Sequence, residues 1–152
     1  MDGFDIFGGV HGCADKLKGL LTKLGYKCGD GLCWQSSRQA VFVGDLIDRG
    51  RQQLEVLRIV KPMVDNGSAQ IVMGNHEFNA ICIATPDPRD DAEFLRPHSE
   101  KNRDQHQAFL EQVTGETANA IPRLVQDLPV VARPRRHPRR TRLLARGFDE
   151  SR

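Results

Sequence analysis

The stretch Val41 to Gly50 carries the densest chemistry in the chain: Val-Phe-Val-Gly-Asp-Leu-Ile-Asp-Arg-Gly. An apolar, β-branched run ends at a glycine. Two aspartates follow three apart, then an arginine and a second glycine. Val41, Phe42 and Val43 suit a strand covered on both faces, and Gly44 lets the chain turn sharply where that strand ends. Asp45 and Asp48 then lie on the loop at the strand's carboxyl end, where open α/β sheets place their ligands. Arg49 is a planar fork able to grip a phosphate through two hydrogen bonds. One carboxylate for a cation, one to orient another group and an arginine for an anion point to metal-assisted phosphoryl chemistry. The competing reading is an N-capped helix start ahead of Leu54 and Leu57.

The same grammar recurs on either side. Phe-Asp-Ile-Phe-Gly-Gly-Val-His-Gly at 4–12 and Gln-Ile-Val-Met-Gly-Asn-His-Glu at 70–77 each run from a strand-like segment through glycine to polar residues. Three such units would deliver their polar residues to one edge of one sheet. The intervals, roughly thirty residues each, fit one strand–helix unit apiece. Gly-Asp-x-x-Asp-Arg-Gly at 44–50 followed by Gly-Asn-His-Glu at 74–77 resembles the calcineurin-like metallophosphoesterases. Within them the sequence is most similar to the phosphoprotein-phosphatase branch, with its bacterial serine/threonine phosphatases and symmetrical dinucleoside-tetraphosphate hydrolases. The likeness runs to about residue 128. An earlier family block, Gly-Asp-x-His-Gly, is broken, because Gly9 stands where the family has aspartate. Asp5 lies inside the strand and is not expected to reach the same point.

The resemblance implies two divalent metals, manganese or iron with zinc, in the mouth of an αββα two-sheet sandwich. By the same likeness Asp45 is the shared carboxylate, His11 binds the first metal and Asn75 the second. His76 is the general acid, Asp48 orients its ring, Arg49 and Asn75 hold the substrate phosphate, and Glu77 is structural. The substrates implied are phosphorylated small molecules, dinucleoside polyphosphates or phosphoproteins. Gly9 removes one ligand of the first metal. Activity in this form is therefore expected to be impaired, with a non-catalytic phosphate- or nucleic-acid-binding remnant as the alternative.

A chain of 152 residues with 39% hydrophobic content reads as one α/β domain. No apolar run approaches the roughly 20 residues that cross a bilayer, and the opening Met-Asp-Gly-Phe-Asp lacks the features of a signal peptide. A cytoplasmic protein with no membrane partner is the expectation. The net charge of +2 is uneven: residues 133–152 hold eight arginines against Asp149 and Glu150, a local +6, which leaves −4 on residues 1–132. Of the four cysteines, Cys13, Cys28, Cys33 and Cys82, all are expected reduced. Cys28 and Cys33 lack the second pair that a zinc site needs.

In chain order, Phe4–Val10 reads as a strand and 15–24 as a helix with Leu17, Leu20, Leu21 and Leu24 inward. Tyr26–Gln35 reads as a hairpin about Gly29-Asp30-Gly31, with Trp34 packed at its edge. A helix is expected over 52–64, its last turn shortened or kinked by Pro62, and a strand over 69–73. Asn75, His76 and Glu77 open a loop, 85–91 is a second loop, and 92–120 is a polar helix. In that helix His106, like Arg103 and His98 beside it, belongs to a solvated face. The domain proper is expected over 1–129. Residues 130–152 read as a disordered Arg/Pro-rich tail that supplies no strand, with contact to nucleic acid as its functional alternative. The tail stands where the family continues into a second sheet, so a frame shift in the gene and a missing C-terminal half are the expectation.

Overall fold

The computed structural model describes residues 3–112 and 140–144. Its centre is a four-stranded sheet of β1 (Gly3–Phe7), β4 (Arg38–Phe42), β5 (Ala69–Ile71) and β8 (Arg140–Leu144), in the order β5-β4-β1-β8. All three pairings are parallel, with Phe7 opposite Phe42 and Phe42 opposite Ile71. A parallel sheet puts every carboxyl end on one edge, so the loops after β1, β4 and β5 emerge side by side.

Helices α1 (Ala14–Lys23) and α2 (Gln53–Asp65) make the crossovers. Each buries one stripe: Ala14, Leu17 and Leu21 from the first, Val56, Leu57, Ile59, Val60 and Met63 from the second, as the leucine spacing predicts. Phe7 stacks on Phe42 at 5.0 Å between ring centroids and meets the edge of Tyr26 at 6.3 Å. Asp5, fully buried in β1, is held by Arg38 Nε at 2.8 Å and by the Tyr26 hydroxyl at 3.3 Å. It belongs to the sheet interior, as expected. Tyr26→Phe should cost about 1 kcal/mol, read as a lower urea midpoint at unchanged slope.

Several expectations are corrected. Helix α2 passes through Pro62 and ends at Asp65, where Asn66 N–H closes on the Pro62 carbonyl at 3.0 Å. Hairpin β2 (Lys27–Gly29) and β3 (Leu32–Trp34) turns at Asp30 and Gly31, both with positive φ. Its register sets Cys28 opposite Cys33, and the two form a disulfide rather than standing reduced. Alternation along β3 buries Cys33 and leaves Trp34 40% exposed, because a two-stranded ribbon has no second layer to cover its outer face.

Helix α3 (Asn75–Ala84) begins at Asn75 itself, where a loop was expected. Strands β6 (Pro86–Asp87) and β7 (Asp90–Phe94) pair in place of the next loop, and the polar helix is α4 (Glu100–Gln112). Residues 140–144 of the tail form β8 against β1. Backbone pairing needs no particular side chains, and β1 would otherwise present an unpaired edge. The other tail residues, and 113–129, lie outside the described residues.

Candidate active site

The first two loops are fastened to each other through their backbones. His11 N–H donates to the Asp45 carbonyl at 2.9 Å, Gly12 N–H to Leu46 at 2.8 Å, and Gly50 N–H to His11 at 2.9 Å. The motif glycines permit this approach. A Cβ on Gly44 would stand 2.1 Å from Gly74 N, and one on Gly50 2.3 Å from the His11 carbonyl. No side chain fits at either point.

Glu77 completes the framework. Its carboxylate is fully buried and accepts four backbone N–H groups: Asp45 at 2.8 Å, Leu46 at 2.7 Å, Ile47 at 3.3 Å and Gly74 at 2.9 Å. The bond from Gly74 is the return half of a capping box at the start of α3. Glycine cannot supply the other half. Asp45 Oδ1 lies 3.4 Å from His76 N and serves that helix end instead. Glu77 is structural, as the sequence suggested, and it organises two motif loops at once.

On this framework His11, Asp45 and His76 each offer a ligand atom within 4.8 Å of the others. The His11 and His76 rings meet edge to face at 4.8 Å. His11 Nδ1–H donates to the Ile47 carbonyl at 3.2 Å, which leaves Nε2 as the free lone pair. Burial holds the His11 imidazole below the ordinary histidine range, with the Arg49 and His76 charges acting in the same direction. The Ile47 carbonyl and Asp45 oppose the shift. A neutral imidazole beside a carboxylate is the form that binds a cation. His76 Nδ1 lies 2.7 Å from Asp48 Oδ2, and Asp48 is 2% exposed. That contact fixes the His76 ring. The group can therefore hold a cation or pass a proton.

Four residues here occupy the left-handed backbone region without being glycine: His11 (φ 44°), Asp45 (55°), Asp48 (68°) and Arg49 (66°). Arg49 is exposed and makes no hydrogen bond or ion pair among the described residues, so its guanidinium is open to an anion. Asn75, at the first position of α3, is likewise exposed. Gly9 has φ 62°, and a Cβ there would stand 3.8 Å from His11 Cδ2 and 3.9 Å from its Nε2, in ordinary contact. The space at position 9 is thus open and borders His11.

Two features escaped the sequence. Gln53 is fully buried; its Oε1 accepts Asp48 N–H at 3.0 Å and its Nε2 donates to the Gly50 carbonyl at 3.0 Å. His106, expected on a solvated face, is 3% exposed, with Nδ1 2.7 Å from Asp48 Oδ1. His98 Nε2–H donates to the Ile83 carbonyl at 2.7 Å and does not join the group.

Comparison with known proteins places the chain in a family. Residues 4–133 match the model of the calcineurin-like phosphoesterase family. The chain is 50% identical over 74 residues to an asymmetrical bis(5'-nucleosyl)-tetraphosphatase of Halalkalibacterium halodurans, covering 48% of this chain and 30% of that protein. It is 35% identical over 106 residues to a symmetrical bis(5'-nucleosyl)-tetraphosphatase of Vibrio cholerae, covering 70% of this chain and 32% of the relative. It thus spans about a third of the length of these curated relatives. A crystal structure of a candidate diadenosine tetraphosphatase superposes with a TM-score of 0.50 at 21% identity, over 84% of this chain and 47% of that one. A serine/threonine phosphatase from Saccharomyces cerevisiae superposes equally well at 0.50 and 16% identity, over 85% and 37%. The match across nearly the whole described chain, with both intact motif loops at one sheet edge, makes this protein a member of the calcineurin-like phosphoesterase family.

Proposed function

We propose that this chain carries the front portion of a metal-dependent phosphoesterase site that hydrolyses phosphate esters or dinucleoside polyphosphates. The observation that carries the reading is the group formed by His11, Asp45 and His76, with ligand atoms within 4.8 Å of one another. Of these, His11 and Asp45 supply donors that fit a divalent cation, a neutral histidine nitrogen and a hard carboxylate oxygen, while His76 beside them is left free to move a proton. His11 and Asp45 would hold a first ion, and Asp45 with Asn75 a second. Manganese or iron with zinc are the ions proposed. When bound, such an ion polarises a phosphate oxygen and makes water more acidic.

The remaining roles belong to the chain itself. Arg49 and Asn75 take the phosphate, and Arg49 steadies the charge that develops on it. His76 delivers a proton from Nε2 to the leaving oxygen, while Asp48 holds Nδ1–H and supports the charged ring. The substrate is a phosphorylated small molecule, a dinucleoside polyphosphate or a phosphoprotein. Position 9 limits the reaction, because glycine contributes no ligand and the first ion keeps few protein donors.

The test is hydrolysis of 4-nitrophenyl phosphate and of a dinucleoside tetraphosphate with and without manganese, alongside Gly9→Asp. Turnover should require the metal and disappear with chelator. Aspartate tolerates left-handed φ better than most residues, and the space is there. Gly9→Asp should therefore tighten manganese binding by at least about tenfold, the loss that even an outer-shell partner of a metal ligand causes. Calorimetric titration reads that change directly. Turnover that survives chelation would sink the metal-dependent reading. No turnover in either form would leave a phosphate-binding remnant.

A further inference from the structure

Asp48 is pressed by two imidazoles, not one. Oδ2 faces His76 Nδ1 and Oδ1 faces His106 Nδ1, each at 2.7 Å. Both Asp48 and His106 are buried, at 2% and 3% exposure. The second contact is close but off the line of an ideal hydrogen bond: Asp48 Oδ1 and His106 Nε2 are both buried with no hydrogen-bond partner among the described residues. Keeping such atoms from water costs free energy. A histidine kept only to fill the core would more cheaply be apolar. A small polar cavity adjoins the two rings, lined by Asp48, His76, Asn79, Arg96, Asn102 and His106.

The helix that bears His106 grips the same loop a second time. Gln112 Oε1 accepts Gln53 N–H at 3.0 Å, and Gln53 in turn accepts the Asp48 N–H. Helix α4 therefore bears on residue 48 twice, once on its carboxylate and once through its backbone partner.

We propose that His106 is a positioning residue for the Asp48–His76 pair, holding the carboxylate so that Oδ2 keeps the His76 proton on Nδ1. The inference rests on the acid role of His76 given above. His106 acts on that role from a helix outside the family's motif loops and need not touch the substrate.

The test reads the His76 tautomer and not turnover. Long-range ¹H–¹⁵N spectra of the labelled, full 152-residue chain report which ring nitrogen carries the proton. In the starting protein the His76 proton should reside on Nδ1. Asparagine places an amide where Nδ1 of histidine lies, and glutamine where Nε2 lies. His106→Asn should therefore retain the Nδ1–H signature of His76, and His106→Gln should lose it toward the Nε2–H form that free imidazole favours. Both variants are polar and of similar bulk, so the comparison does not depend on an apolar variant folding. A His76 tautomer unchanged in both, or lost equally in both, overturns the proposal. Hydrolysis assays on the same samples report separately on the phosphoesterase reading, since the spectra need no turnover.

Discussion

Glu77→Ala should lower the unfolding free energy by about 3–5 kcal/mol, because several buried N–H groups lose their acceptor at once and each costs about 1–3 kcal/mol unmade. Four donors converge on this carboxylate, from Asp45, Leu46, Ile47 and Gly74. Water cannot replace it readily, since Leu46 and Ile47 are buried. Glu77→Gln keeps one oxygen but turns an NH₂ toward backbone donors, so it should fall between wild type and alanine. Urea unfolding followed by tryptophan fluorescence measures both. The same change should weaken manganese binding, because the Asp45 backbone hangs directly from Glu77. Stability within about 0.5 kcal/mol of wild type, the range of an ordinary surface change, would mean the loops hold their shape without it.

His76→Asn should cut kcat by about 10²–10⁴-fold, the usual worth of a positioned proton donor. Asparagine keeps a donor on the side facing Asp48, so the pocket retains its shape while the group that reaches the leaving oxygen is gone. The loss should be larger with phenyl phosphate than with 4-nitrophenyl phosphate, whose leaving oxygen needs less help from an acid. An equal loss on both would mean that His76 works as a cation ligand, a role its place beside His11 and Asp45 also permits. No loss on either would remove His76 from the chemistry.

The site loops were legible in the sequence because their signals are local. An apolar run, a glycine and a polar cluster announce a strand, its end and a loop, and three such units on parallel strands must meet at one edge. The structure brings His11, Asp45, Asp48 and His76 together at that edge. The disulfide was legible in principle: a two-residue turn at Asp30-Gly31 makes 28 and 33 partners by counting outward, and an argument from cellular compartment pointed the other way. His106 was not legible. Residues 100–107 are polar throughout and the apolar residues come only at Ala108 to Leu110, so no repeating apolar stripe orients the helix at His106. Its burial depends on Asp48, nearly sixty residues upstream, and only the folded chain shows them together. Strand β8 was hidden for a different reason, since a parallel edge pairing is made by backbone groups that any residue other than proline carries in full.

The left-handed backbone of His11, Asp45, Asp48 and Arg49 sets a trap for anyone who would make this protein more robust. Each such residue carries about 1–3 kcal/mol of conformational cost that glycine would not. A screen that rewards heat resistance alone would collect glycine at these four positions first, and every success would delete a group from the site. Position 9, at φ 62° and already glycine, carries no such cost and presents no side chain to the neighbouring His11.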